Sequence, residues 1–193
     1  MNSINKKEVK RFLVNHPDIE YSAAKLIYSR NLYSEITEII RDVTGISENE
    51  KEDLKLIESA NTPEELVGVM RASISITARK ELKEKLLAKE AEVLPLIKQR
   101  CMKNKQDVFI ETAIEFFICS KENCREWILE NYKEFSSEYL KSLLCLVIGF
   151  RGQVEDIPLL MEEAKRFLKY YPDEGFDQGA VLAVQELAAQ YLN

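Results

Sequence analysis

Apolar residues recur at intervals of three and four along most of the chain, which is the spacing of one face of an α-helix. No segment alternates between apolar and polar residues for long enough to indicate a β-strand. The predicted fold class is therefore all-α. The pattern predicts about twelve helices, near residues 5–14, 18–29, 32–43, 48–59, 63–71, 73–89, 91–103, 108–119, 122–134, 137–150, 155–171 and 178–192.

Several predicted helices have clear start and stop signals. Ser47 and Thr62 are each followed three residues later by a glutamate, the pattern of a reciprocal N-terminal cap. Pro63 falls at the first helical position, where its missing N–H has little effect. Residues that end helices follow three of the predicted stretches: Gly45, Gly152 and Pro172.

Helices with a single apolar stripe alternate with helices that are apolar nearly all round. The striped helices are 91–103, 122–134 and 155–171, and the more apolar ones follow each of them at 108–119, 137–150 and 178–192. We expect this alternation when two-helix units stack, because the helices of each unit contact one another and those of neighbouring units.

Short sequences repeat at matching places in these units. Leu94-Pro95-Leu96 and Ile157-Pro158-Leu159 lie 63 residues apart, which fits two units of about 31 or 32 residues. The predicted N-caps of the more apolar helices are Asp107, Ser136 and Asp177.

With an early proline in the first helix, a polar cap on the second and a glycine-bounded turn at 149–158, the chain resembles HEAT-like repeat proteins of the short two-helix form. The resemblance implies a right-handed α-solenoid of stacked antiparallel helix pairs that works as a binding scaffold. It covers residues 73–193 well and residues 1–60 poorly. The predicted domains are therefore an N-terminal helical cap or small bundle at residues 1–60 and HEAT-like repeats at residues 61–193. Tetratricopeptide repeats have a similar length, but their Trp, Gly, Tyr and Ala pattern is not present.

Composition narrows the function classes. The formal net charge of −6 argues against a chain that follows a nucleic-acid backbone along its whole length. No apolar run reaches the length of a membrane helix, and the N-terminus has no apolar core behind its charges, so we expect a cytoplasmic protein without a membrane contact. The four cysteines are expected to pack as small apolar residues. Cys119 and Cys124 flank a helix junction and could form a redox pair, but their spacing is not a known redox signature.

Sequence motifs for catalysis are missing from the chain. There is no GxSxG, GxxxxGK[ST], GxGxxG or HExxH motif, and one histidine without a CxxC pair does not make a zinc site. No catalytic residue, metal ligand or cofactor is predicted.

The stretch YYPDEGFDQG, residues 170–179, combines aromatic and acidic side chains. Pro172 ends one helix, Gly175 supplies an unusual backbone angle, and Asp177 is placed to cap the next helix, so we interpret the stretch as a structural corner. The alternative is a loop that contacts a partner through its exposed side chains. That loop would use Tyr170, Tyr171, Asp173, Glu174 and Phe176.

A basic segment, residues 79–105, contains nine Lys or Arg residues and four glutamates. It could bind the phosphates of a nucleic acid. The candidate contacts are Arg79, Lys80, Lys83, Lys98, Arg100, Lys103 and Lys105. The alternative to a binding site is an ordinary solvent-exposed helix face. Lys80 with Glu84 and Glu81 with Lys85 favour it, because they have the spacing of helical ion pairs.

The sequence therefore predicts a helical-repeat scaffold that binds an unknown protein or peptide and has no cofactor. Nucleic-acid or phosphate binding through residues 79–105 is the first alternative. A lyase or isomerase of the HEAT-like class is the second. The ligand, the pathway and the oligomeric state do not follow from the sequence.

Overall fold

A computed structural model describes residues 5–16, 39 and 45–191, and every structural statement below concerns these residues. They form ten α-helices and two 3-10 turns without a β-strand, which confirms the all-α class. The helices are α1 (Lys6–Val14), α2 (Glu48–Ser59), α3 (Pro63–Val69), α4 (Ile76–Ala88), α5 (Glu90–Cys101), α6 (Asp107–Cys119), α7 (Arg125–Asn131), α8 (Glu138–Arg151), α9 (Ile157–Tyr170) and α10 (Asp177–Tyr191). The 3-10 turns are Tyr132–Glu134 and Val154–Asp156.

The helix count among the described residues is ten, against about twelve predicted for the whole chain. The other two predicted helices, near 18–29 and 32–43, lie outside the described residues apart from Ile39.

The contacts divide the chain into two compact units. The discontinuous unit comprises Met1–Lys25 and Glu122–Asn193, and the central unit comprises Leu26–Lys121. In the central unit α2 packs on α4, α3 on α5 and α4 on α6, while in the discontinuous unit α10 packs on α8, α9 and α1. The predicted boundary between a cap and the repeats, at residues 60 and 61, is a different division and stays a prediction.

Two of the predicted helix starts have the expected caps. The Thr62 hydroxyl accepts from Glu65 N, and the Glu65 carboxylate accepts from Thr62 N, so this start has both halves of a capping box with Pro63 inside it. Ser47 Oγ accepts from Glu50 N at the start of α2. These caps form within four residues of the chain, which is why the sequence alone predicts them.

The predicted caps of α6, α8 and α10 are each displaced by one residue. Asp107 and Asp177 are the first residues of their helices, where a carboxylate favours the positive end of the helix dipole. At α8 the cap is Ser137 and not Ser136, because the Ser137 hydroxyl accepts from Leu140 N.

The most apolar helices are the most buried ones, as their patterns predict. On α6 the aromatic residues Phe109, Phe116 and Phe117 are fully buried in the central unit. On α8 nine residues are buried, and α10 contributes a further buried row beside them. Burial of a large apolar side chain stabilises the fold by about 1.5–3 kcal/mol, so these helices form the centres of their units.

Glycines allow α8 and α10 to approach closely. A Cβ on Gly149 would lie 2.6 Å from Ala183 Cα, and a Cβ on Gly179 would collide with the carbonyl oxygen of Ser142. The absence of these two side chains therefore sets the distance between the helices.

Candidate functional site

Partly buried polar side chains from three elements of the discontinuous unit meet around the buried Cys145. The Tyr132 hydroxyl donates to Glu163 Oε2 at 2.9 Å and lies 3.4 Å from Cys145 Sγ. It is also 3.2 Å from the carbonyl oxygen of Lys141. The residues of this Tyr132 network are Tyr132, Glu138, Lys141, Cys145, Glu163 and Arg166.

The charged members of the Tyr132 network alternate in sign. Arg166 pairs with Glu163 at 2.8 Å and with Glu138 at 2.8 Å. Lys141 Nζ donates to Glu138 Oε1 at 2.9 Å. Two carboxylates and two cations therefore neutralise one another, which leaves no formal charge in the network for an ionic ligand.

Burial determines the protonation of the network's neutral members. It raises the pKa of the Cys145 thiol to about 12, so the thiol stays protonated and can donate to the Tyr132 oxygen. Burial, with Cys145 and Glu163 nearby, also raises the pKa of Tyr132. Since the thiolate is the reactive form of cysteine, Cys145 is not arranged as a nucleophile at neutral pH.

The carboxylate and guanidinium of the network are held in their charged forms. Burial alone would raise the pKa of Glu138, but hydrogen bonds from Lys141 and Arg166 keep it below its usual value. Burial would lower the pKa of Arg166, and its bonds to Glu163 and Glu138 raise it instead. The hydrogen bonds and ion pairs of the network therefore connect α8, α9 and the turn at Tyr132.

Replacing Tyr132 with phenylalanine tests this structural role. We expect Tyr132→Phe to lower the free energy of unfolding by about 1–2 kcal/mol, because the substitution removes a part-buried hydrogen bond to a carboxylate, that of Glu163. Urea denaturation followed by circular dichroism measures the change. Tyr170→Phe is the matched control, since Tyr170 is 62% exposed, and it should leave the stability unchanged. Equal stability of Tyr132→Phe and the wild type would show that the hydroxyl does not stabilise the fold.

The Tyr132 network was not predicted from the sequence. The signal was present in part, because Glu138 with Lys141 and Glu163 with Arg166 are opposite charges three residues apart on predicted helices. Nothing local connects these pairs to Tyr132, which is 31 residues from Glu163.

The second polar arrangement is a depression in the central unit with a volume of about 590 Å³. We call it the cationic depression. Its lining residues are Arg71, Arg100, Lys103, Asn104, Lys105 and Gln106. Four of these six side chains are cations and none is an acid, so the local field favours an anion.

Comparison with protein-family models, curated proteins and solved structures found no match to this chain. The function must therefore be inferred from the arrangement of the chain's own residues.

Only some of the residues predicted to contact a phosphate line the cationic depression. Arg100, Lys103 and Lys105 do so, joined by Arg71, which lies outside the basic segment. The other four candidates, Arg79, Lys80, Lys83 and Lys98, are not among the lining residues, and all four are partly buried. Arg79 lies 3.9 Å from the Glu111 carboxylate.

Two further lysines of the basic segment are used inside the central unit. Lys85 Nζ donates to the carbonyl oxygen of Ile57, and Lys89 Nζ donates to that of Asn61. The Ile57 carbonyl lies in the last turn of α2, where cations stabilise the negative end of the helix dipole, and Asn61 lies in the link between α2 and α3. The segment therefore contains cations that bond only within the central unit and a group of three that lines the depression.

The stretch after α9 has the geometry of a corner. Gly175 has a φ of +66°, a conformation that other residues adopt at an energetic cost. The Phe176 ring packs against Tyr139, Phe167 and Tyr171 at centroid distances of 5.8–6.1 Å. Exposed side chains of the predicted partner loop are Tyr170, Asp173 and Glu174. Contact of this loop with a partner stays a prediction.

All four cysteines are free, and three of them are buried. The exposed one is Cys119. Within the described ranges, no three His, Cys, Asp or Glu side chains are grouped to hold a metal ion. In the same part of the chain, no helix has both the length and the apolar character of a membrane span.

Proposed function

We propose that the chain is a HEAT-like α-solenoid scaffold that binds a protein or a peptide. One observation carries the proposal: side chains repeatedly bond across a separation of about one two-helix unit. Stacked helical units present long continuous surfaces, and such surfaces commonly bind other proteins.

The central unit supports this periodicity. Lys85 and Lys89 bond to carbonyls 28 residues earlier in the chain. Arg100 bonds to the Val67 carbonyl 33 residues earlier, and Ser120 to the Glu90 carboxylate 30 residues earlier. The hydrogen bond from Ser75 N to the Asp53 carboxylate spans fewer residues, 22. Each helix from α2 to α4 thus contacts the second helix after it, as stacked hairpins require.

The discontinuous unit supports it independently. Arg125 bonds to Asp156 and Tyr132 to Glu163, both across 31 residues. The Ser142 hydroxyl donates to the Phe176 carbonyl 34 residues later. The same spacing of about 30 residues therefore recurs in both compact units.

The Tyr132 network favours a scaffold over an enzyme. Its charges cancel, and the Cys145 thiol is fully buried with a raised pKa. Nucleophilic catalysis requires an accessible group whose pKa is lowered or whose proton has a base to accept it. These side chains support a role in holding helices together.

Affinity capture followed by direct binding tests the proposal. The tagged full chain is used to capture proteins, and each candidate is purified and titrated against the chain by calorimetry. We expect at least one partner to bind saturably with a fixed stoichiometry. Repeated captures that give no partner able to bind in purified form would overturn the scaffold proposal, and turnover of a small molecule by the purified chain would replace it with the enzyme alternative.

A further inference from the structure

We propose that the cationic depression binds a phosphate group carried by a phosphorylated segment of a protein partner. This proposal deepens the scaffold function and rests on it. A phosphoserine or phosphothreonine carries a charge between about −1.5 and −2 at pH 7 and has three strong acceptor oxygens. Four cations around one depression are suited to such a dianion better than to a single carboxylate.

Both arginines are restrained by hydrogen bonds within the central unit. Arg71 Nε donates to Gln106 Oε1 at 2.8 Å, and Gln106 Nε2 donates back to the Arg71 carbonyl at 3.1 Å. Arg100 Nη1 donates to the Val67 carbonyl at 3.0 Å. A guanidinium has five N–H donors, so each arginine has further donors for an anion. Because their orientation is already set, binding loses less side-chain entropy.

The start of α6 adds a positive partial charge at the same place. Gln106 is the N-cap of this 13-residue helix, and its side chain bonds to Arg71 and not to the first turn. The first N–H groups of a helix carry partial positive charge and attract anions. The Asp107 carboxylate in the first turn offsets part of this field, which makes the four cations the larger contribution.

The distribution of charge favours a single phosphate over a nucleic-acid backbone. The cations at the depression are a local group, while Lys85 and Lys89 bond to carbonyls of the central unit. A polyanion would extend beyond this local group along a chain that has 33 acidic residues and a net charge of −6. A single phosphate is affected mainly by charges within about 8–10 Å, the screening length at physiological salt.

Nuclear magnetic resonance of the full chain tests the site. The ¹⁵N-labelled protein is titrated with a five-residue alanine peptide that carries one central phosphoserine, and with the same peptide carrying serine. We expect saturable shifts of the amide signals of residues 103–108 with the phosphoserine peptide only. Equal shifts with both peptides, or shifts located elsewhere, would overturn the proposal.

A pair of charge reversals provides the decisive comparison. Lys103 and Lys105 are exposed, so Lys103→Glu with Lys105→Glu should leave the fold intact and raise the Kd for the phosphoserine peptide at least about tenfold. Lys7→Glu with Lys10→Glu, on the exposed side of α1, makes the same change in net charge and should leave the Kd within about twofold. Equal weakening by both pairs would show a long-range charge effect and not a site. If the first pair disturbs the spectrum broadly, Lys103→Gln with Lys105→Gln repeats the comparison at half the charge change.

Two further probes distinguish the source of the phosphate. Inorganic phosphate should bind more weakly than the phosphoserine peptide, and equal affinity would overturn the peptide proposal in favour of the free ion. A thymidine oligonucleotide should bind no more tightly than the peptide. Tighter binding that falls steeply with salt would instead support nucleic acid, since counterion release produces that dependence.

The scaffold and phosphate proposals fail in different ways. A purified partner that binds the Lys103→Glu, Lys105→Glu variant with unchanged affinity would overturn the phosphate site and leave the scaffold function standing. Saturable phosphoserine binding without any partner that binds in purified form would overturn the scaffold function and leave the site standing.

Discussion

Gly179→Ala should lower the free energy of unfolding by about 3 kcal/mol or more, despite the higher helix propensity of alanine. The new Cβ would collide with the carbonyl oxygen of Ser142 and lie 2.9 Å from its hydroxyl oxygen. Alanine gains only about 1 kcal/mol over glycine inside a helix. Because the nearest atom belongs to the α8 backbone, relief requires α8 and α10 to move apart. Chemical denaturation measured by circular dichroism gives the change.

Gly68→Ala is the matched control for this substitution. Gly68 also lies in a helix, but a Cβ there has nothing within 4 Å. We expect it to be neutral or to stabilise the chain by up to about 1 kcal/mol, through propensity and a restricted unfolded state. A Gly179→Ala variant as stable as Gly68→Ala would contradict the close packing of α8 on α10.

Asp156→Ala should be the second most damaging of these substitutions, with a loss of about 3 kcal/mol. Arg125 bonds to Asp156 through two nitrogens, at 2.7 Å and 2.5 Å, and the Asp156 side chain is only 6% exposed. The hydrogen bond that Arg125 makes to Asp156 raises the pKa of Arg125. Asp156 Oδ2 also accepts from Gln153 N, so removal of the carboxylate leaves both a guanidinium and an N–H without this acceptor.

A double-mutant cycle identifies how much of this loss belongs to the pair. Arg125→Ala and the combined Arg125→Ala, Asp156→Ala variant are measured in the same denaturation experiment. We expect the combined variant to be more stable than the sum of the single losses predicts, because it leaves no unpaired guanidinium. Glu162→Ala, at an exposed position of α9, should change the stability by less than about 0.5 kcal/mol. If the losses in the free energy of unfolding are additive, the Arg125–Asp156 pair does not couple α7 to the turn before α9.

These substitutions also bear on the proposed repeat architecture. Arg125 begins α7 and Asp156 ends the turn before α9, and the proposed stack would place them in successive helical hairpins. Their coupling would then measure the contact between neighbouring hairpins. In a stacked array, stability is the sum of the stabilities of the units and of the interfaces between neighbours. Strong coupling at this pair would be in keeping with stacked hairpins.

The cationic residues illustrate what the sequence predicts only in part. The segment 79–105 is rich in Lys and Arg, and the hypothesis of an anion site begins from that count. The sequence does not distinguish Lys85, which bonds to a carbonyl of α2, from Lys103, which lines the depression. It also omits Arg71, which comes to the depression from the end of α3.

The corner at residues 170–179 is likewise predicted only in part by the sequence. Proline and glycine in residues 170–179 predict a turn, and Gly175 has the positive φ that makes glycine favourable there. The packing of Phe176 on three other rings depends on residues from α8 and α9, and no local pattern contains it.

By itself, the sequence determined the all-α class, the positions of the ten described helices to within a few residues, and the caps at Ser47 and Thr62. These features depend on side chains and backbone groups within about four positions of each other, so a one-dimensional pattern contains them. The tertiary structure alone decided that Tyr132 joins two ion pairs, that Gly179 lies against Ser142, and which cations face a common depression. Those contacts join residues about 30 to 40 positions apart, and they depend on the rotation and register of packed helices, which no local spacing specifies.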